Sequence, residues 1–253
     1  MERLSAIPQD DAIVQKANTL PACQRHRSSR MTHTFPLHFQ AGHLFAEIAG
    51  ERWLFDTGAP LSFGKARELS LAGERFSLGQ RYVGLDAAAL SRLMGVNCTG
   101  LLGADIIGRF DHLLDVAGGL LTVSTATLAH GGQLLELDDF MGIPIITVHI
   151  ERRDYRMFLD TGAQISYFQH AALAGFPPAG SLTDFYPGFG EFQTETHRVP
   201  ASIGDGRFTL RCGSLPRLLG MTLGVANVDG IVGNEIFLDR SVGYFPRRQA
   251  MSL

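Results

Sequence analysis

Cysteine is scarce in this 253-residue chain, which carries only Cys23, Cys98 and Cys212. An odd, widely spaced set fits neither a disulfide framework nor a zinc pattern, and it suits a reducing compartment. An excess of one charge is also missing. Lys and Arg number 22 against 25 Asp and Glu, a net charge of −3. That balance argues against a nucleic-acid binder held by phosphate contacts and against an acidic disordered tail. Long apolar runs are absent too: the nearest, GLLGADIIG at 100–108 and MGIPIITV at 141–148, fall well short of the ~18 residues of a membrane span. Asp10, Asp11 and Lys16 stand where an export signal needs its apolar stretch. The expectation is a cytoplasmic protein with neither membrane nor nucleic acid as partner. The chain does have a 45% hydrophobic content, enough for a sizeable core, and 29 glycines, which favour turn-rich β structure.

The chain also repeats itself. LFDTGAPLSF at 54–63 matches FLDTGAQISY at 158–167, Asp160 following Asp56 by 104 residues, and each copy has a serine six places on, Ser62 and Ser166. Downstream, GLLGADII at 100–107 matches GIVGNEIF at 230–237, and GERFSL at 73–78 matches DGRFTL at 205–210. The second copy is longer between its motifs, and the extra residues fall at about 176–200, a Gly-, Pro- and aromatic-rich stretch read as an irregular hairpin. Ahead of each Asp, HLFAEI and WLF in one copy and IITVHI and MFL in the other read as strands joined by short turns. The halves are placed at 31–132 and 133–253, meeting at Gly131 and Gly132. Residues 1–30 lie outside the repeat, either as a flexible arm or ahead of a true start at Met31. Short helices are expected at 85–95 and 214–224, and helical turns after Gly103 and Gly233, with Asp105 and Glu235 at their starts. The fold class is all-β with a few short helices.

A single Asp-Thr-Gly is ordinarily a turn in which Asp bonds its own backbone. Here each Asp leaves an apolar strand, so its carboxylate is carried inward, where it needs a partner. Two such residues, one per half, can meet across a pseudo-twofold axis.

On these motifs, Asp56-Thr57-Gly58-Ala59 with Leu101-Leu102-Gly103 and Asp160-Thr161-Gly162-Ala163 with Ile231-Val232-Gly233, the chain resembles a retropepsin-like (pepsin-related) aspartic protease in a single-chain form, over nearly all of 31–253. The resemblance implies two β-barrel halves and one catalytic Asp from each, Asp56 and Asp160, at the bottom of the cleft between them. It implies that Thr57 and Thr161 lock the two loops together, that Gly58 and Gly162 let backbone N–H groups reach the carboxylates, and that the apolar-apolar-Gly segments support the loops. Ala59 and Ala163 stand where pepsins carry a hydroxyl residue, as in retropepsins, which implies a dyad that titrates less acidically. The implied activity is endopeptidase cleavage of peptide or unfolded-protein substrate by water activated between the carboxyls, with no cofactor and no metal. A silent peptide-binding descendant, or a latent enzyme needing removal of 1–30, is the alternative.

Only the second half has room for a flap. It is expected at 184–198 with Phe185, Tyr186 and Phe189 as its apolar tip, whereas Phe63 to Phe76 is too short for a projecting hairpin. His33, His38 and His43 recur every five residues without converging on a metal site. Cys98 and Cys212 read as buried apolar residues, and Trp53 as core. Pairing of the halves within one chain, a monomer, is favoured over exchange between two chains in a homodimer.

Overall fold

The structure is a computed structural model that describes residues 31–253, so the arm at 1–30 lies outside the described residues. The first half contributes β1 (Thr32–Gln40), β2 (His43–Ile48), β3 (Glu51–Phe55), β4 (Phe63–Gly64), β5 (Glu68–Leu71), β6 (Glu74–Ser77), β7 (Arg81–Tyr82), β8 (Leu85–Asp86), β9 (Gly100–Leu102), β10 (Asp111–Asp115) and β11 (Leu120–Ser124). The second contributes β12 (Leu134–Glu136), β13 (Asp138–Phe140), β14 (Ile143–Ile150), β15 (Arg153–Leu159), β16 (Ser166–Phe168), β17 (Pro178–Tyr186), β18 (Gly190–Ile203), β19 (Gly206–Gly213), β20 (Gly230–Val232), β21 (Ser241–Phe245) and β22 (Ala250–Ser252). Helices are short: α1 (Ala87–Met94), α2 (Ala104–Ile107) and α3 (Arg217–Val225). Among the described residues none is long and apolar enough to cross a membrane.

Both halves follow one path. β2 and β3 form a hairpin, β9 returns parallel to β3, and β4 lies antiparallel on the far side of β9. β14, β15, β20 and β16 repeat those pairings. The halves share a sheet in which β12-β22-β21-β10-β11-β1 run side by side, an order unchanged when equivalent strands are exchanged. A pseudo-twofold axis therefore passes between β10 and β21, where His112 lies opposite Tyr244 and Leu114 opposite Val242.

Strand alternation explains why so few residues serve several layers. Leu44, Ala46 and Ile48 of β2, with Trp53 and Phe55 of β3, face the core shared by both halves, while Phe45 and Leu54 face a separate first-half cluster. In the second half Ile146, Val148, Ile150, Met157 and Leu159 face the shared core, and Ile145 and Phe158 a second-half cluster. Each strand thus buries both faces, which is why these segments read as nearly continuous apolar runs. Cys98 and Cys212 are buried, and burial pushes both thiols up from their ordinary value, as unreactive core groups require.

One expectation needs an addition and one a correction. The first half has two short hairpins, β5–β6 and β7–β8, the latter turning at Val83 and Gly84, both in the left-handed region (φ 47° and 78°). A Val-Gly pair is a weaker turn signal than Asn-Gly, which is why β7–β8, beyond the Phe63–Phe76 stretch, is not evident in the sequence; neither hairpin projects as a flap would. The extra segment of the second half, expected as an irregular hairpin at about 176–200, is more regular than expected, with one register shift between Pro178 and Ser181, and only the narrower flap range needs correction. β17 and β18 form a hairpin over Pro178–Ile203, and the turn at 187–189 is its tip, so the expected 184–198 takes in the tip and part of β18 but omits most of β17.

Candidate active site

β3 and β15 end by delivering Asp56 and Asp160 to two loops that face each other across the pseudo-twofold axis. The Asp56 N–H donates to the Leu102 carbonyl at 3.0 Å and the Asp160 N–H to the Val232 carbonyl at 2.9 Å, so each loop starts from the strand threaded behind it. The threonines cross over. The Thr57 hydroxyl donates to the Leu159 carbonyl and the Thr161 hydroxyl to the Phe55 carbonyl, each at 2.6 Å. Each hydroxyl also accepts the other threonine's backbone N–H at 3.0 Å. Four buried hydrogen bonds thus fix one loop against the other. Thr57→Val or Thr161→Val keeps the side-chain volume but leaves a buried N–H and a buried carbonyl without partners. Each is expected to cost about 2–4 kcal/mol in denaturant unfolding. A loss below about 0.5 kcal/mol would show that the grip is not what joins the loops.

The glycines sit where no side chain fits. A Cβ on Gly58 would lie 2.2 Å from the Asp160 carboxyl carbon, and one on Gly162 would lie 2.5 Å from that of Asp56. The Gly58 and Ala59 N–H groups both donate to Asp56 Oδ1 at 2.9 Å, and the Gly162 N–H donates to Asp160 Oδ1 at 2.8 Å. The two carboxyls lie within hydrogen-bonding reach of each other. Burial holds Asp56 well above the usual carboxylate range, the neighbouring Asp160 charge adding to the effect. Burial also raises Asp160, against the opposing pull of the Gly162 N–H and the bond to Asp56. Both shifts run toward holding a proton at higher pH than an ordinary carboxyl does, and two carboxyls in contact titrate together rather than one by one.

Asp105 and Glu235 lie in the first turns of their helical segments as expected, and they do further work as well. Asp105 Oδ1 accepts from the Ser62 hydroxyl at 2.6 Å and the Ser62 N–H at 2.9 Å, and Glu235 accepts from the Ser166 hydroxyl at 3.2 Å. Those serines in turn accept the N–H groups of Gly103 and Gly233 at 2.8 and 3.1 Å. The chain of bonds ties each apolar-apolar-Gly segment to the loop in front of it. The repeated Ser spacing was the available signal.

The β17–β18 hairpin reaches over this pair. The Tyr186 hydroxyl is pushed up by burial and, less, by the charges of Asp160, Tyr82 and Asp56, so it lies within electrostatic range of both carboxyls. Phe185 packs into the first-half cluster, so the hairpin crosses between halves. A Cβ on Gly188 at its tip would lie 2.8 Å from the Val83 side chain, so the tip rests on the β7–β8 turn. Phe189 is largely exposed and makes an edge contact with Phe192, its centroid 6.3 Å away, so of the three expected tip residues it alone faces outward.

Several residues of this site were not singled out from sequence. Asp184 of β17 accepts from the Tyr167 hydroxyl, from Gln164 Nε2 at 3.1 Å and from the Phe185 N–H at 2.8 Å. His43, set aside above, lies at the β1–β2 turn beside the second loop. Burial lowers its pKa, opposed by its bond to the Ala41 carbonyl, the Asp184 charge and the Gly162 carbonyl. Asn234 Nδ2 donates to the carbonyls of Gly42 and Thr161 at 2.9 Å and of Ala163 at 3.1 Å. A signal did exist: Tyr167, Gln164 and Asn234 occupy the repeat positions of Phe63, Pro60 and Ala104.

No protein-family model matches the chain, and no curated protein is similar to it in sequence. Among solved structures it is similar to the basic 7S globulin from soybean, at 10% identity and TM-score 0.49, over 87% of this chain and 93% of that one. It is also similar to an aspartic proteinase from Irpex lacteus, at 11% identity and TM-score 0.44, over 87% and 97%. Both likenesses are weak, and the chemistry rests on the chain's own geometry.

Proposed function

We propose that this chain is an aspartic endopeptidase, a single-chain relative of retropepsins and pepsins with one flap, supplied by its second half. The observation that carries the reading is the pair Asp56 and Asp160: two half-buried carboxyls in mutual reach, delivered by equivalent loops and locked by crossed threonines. With one proton between them, the ionised member takes a proton from a bound water as its oxygen attacks the scissile carbonyl. The protonated member donates to the carbonyl oxygen, and the tetrahedral intermediate collapses as a proton passes to the departing amine. Which Asp plays which part is a property of the pair. An extended peptide with apolar side chains flanking the scissile bond is the favoured substrate class. Apolar groups adjoin the loops on both sides, with Ala59, Tyr82 and Phe185 in one cluster and Ala163, Leu182 and Tyr186 in the other. One chain supplies both carboxyls, so the reading needs no second copy.

The test is cleavage of a diverse peptide mixture by the purified protein from about pH 3 to pH 7.5. Neither Ala59 nor Ala163 can stabilise an ionised carboxylate with a hydroxyl, and burial raises both members. kcat/KM is therefore expected to follow a bell with its optimum at about pH 4–6, falling on the alkaline side as the second carboxyl ionises. An optimum below about pH 3 would contradict this account of the dyad. No cleavage at any pH by the folded protein would leave a peptide-binding protein without turnover.

A further inference from the structure

β17 runs with period two, so Leu182, Asp184 and Tyr186 share a face. Leu182 and Tyr186 pack against the second-half cluster that includes Tyr167. A carboxylate between them is costly unless satisfied, and an apolar residue would suit the face better. Asp184 is satisfied, by the Tyr167 hydroxyl on one oxygen and by Gln164 and its neighbour's N–H on the other. Gln164 is held in turn: a Cβ on Gly42 would lie 2.8 Å from its own Cβ, so the first half's β1–β2 turn is packed against it. Asn234 bonds that same turn to the carbonyls of Thr161 and Ala163. A continuous set of contacts thus leads from the flap to the loop that carries Asp160.

The internal repeat serves as a control. The first half, which has no long flap, carries Phe63, Pro60 and Ala104 at the positions of Tyr167, Gln164 and Asn234, and none of those three side chains can hydrogen-bond. The polar set occurs only on the side where a flap must be held. We propose that Asp184 is a positioning residue of the cleft, which latches the flap over the carboxyl pair through Tyr167 and Gln164 and adds its negative charge to the surroundings of Asp160. The titratable groups facing it are Tyr167 on β16, His43 at the β1–β2 turn and Asp160 on the second loop. Burial raises Asp160, the Gly162 N–H, the bond to Asp56 and the Ala163 N–H oppose it, and the Asp184 charge adds the smallest upward push; the same charge opposes the burial-driven lowering of His43.

The functional meaning rests on the endopeptidase reading, and the test is chosen to work without turnover. Amide exchange across 182–192 reads the latch, and carboxyl-carbon NMR reads the titration of Asp56 and Asp160. Tyr167→Phe removes one hydroxyl and no charge. It is expected to speed exchange at the flap about tenfold and to leave the titration midpoints in place. Asp184→Asn removes the charge and keeps only one acceptor oxygen, so either Tyr167 or the Gln164 and Phe185 N–H groups lose their partner. It is expected to move the Asp160 midpoint down by about half a pH unit, and to speed exchange at the flap as well. In the active enzyme, the first variant raises KM with its pH profile unmoved, and the second shifts the bell to lower pH. Wild-type exchange in Tyr167→Phe overturns the latch. Unmoved midpoints in Asp184→Asn, or equal movement in both variants, overturns the electrostatic part.

Discussion

Asp56→Asn and Asp160→Asn are each expected to abolish peptide cleavage, by about a thousandfold or more, and yet to raise the melting temperature at neutral pH. The loss follows because either substitution removes one of the two groups that must exchange protons with water and substrate. The gain follows from burial. Both carboxyls are raised from their ordinary value, so ionising the pair in the folded protein costs more than ionising it unfolded. That cost is absent below the unfolded value of about 3.9, grows as pH rises, and is complete above the folded values. Asn has nothing to ionise, and its side-chain oxygen can still accept the Gly58 and Ala59 or Gly162 N–H groups. The stability difference between variant and wild type should therefore open above about pH 4 and close below it. Calorimetry at the two ends of that range, beside the cleavage assay, checks both halves. An Asn variant that keeps a tenth of wild-type kcat/KM, or is less stable at both pH values, would sink the shared-proton account.

The second large effect concerns the junction between the halves. The Asp111 side chain, on β10, is wholly inaccessible and faces two arginines of the 3-10 turn after β21. Arg247 reaches Oδ1 through Nε at 3.0 Å and Nη2 at 2.8 Å, Arg248 reaches Oδ2 at 2.9 Å, and the Leu128 N–H donates to Oδ2 at 2.9 Å. The same guanidinium groups hold the carbonyls of Thr125, Ala126 and Leu128 in the segment leading from the first half to the second. Asp111→Ala leaves two adjacent cations without a counter-charge and a backbone N–H without an acceptor. The expected cost is about 3–5 kcal/mol, or about 10 °C in melting temperature. Asp138→Ala offers a contrast, since its pair with Arg156 is solvent-exposed and its loss should change little. If the two variants melt alike, the junction is not held by this cluster.

How much was legible in the sequence depended on how local each signal was. The duplication, both Asp-Thr-Gly-Ala loops, the threonine lock and the apolar-apolar-Gly supports rest on short motifs that carry their chemistry wherever they fold. The flap was legible as a length difference between copies, but its span was misjudged because β18 continues unbroken into the strand that both copies share. Asp105 does sit in the first turn of α2, where it accepts the Ile106 N–H, but the same oxygen also serves Ser62, 43 residues earlier, and no local pattern shows that second partner. His43 is not legible from spacing, because spacing says nothing about a turn from one half reaching a loop of the other.

The sequence by itself determined that two equivalent carboxylates come off two apolar strands, which chemistry they suit, and that only one copy has chain to spare for a cover. Those properties depend on residue type and on neighbours within a few positions. Tertiary structure alone decided which groups meet at the cleft. Tyr167, Gln164, Asn234 and His43 gather behind the second loop and beneath Asp184 because the β1–β2 turn packs on that loop and β17 folds back over it. Such contacts are set by how sheets twist and register across a hundred residues or more, and no periodicity in the chain encodes them.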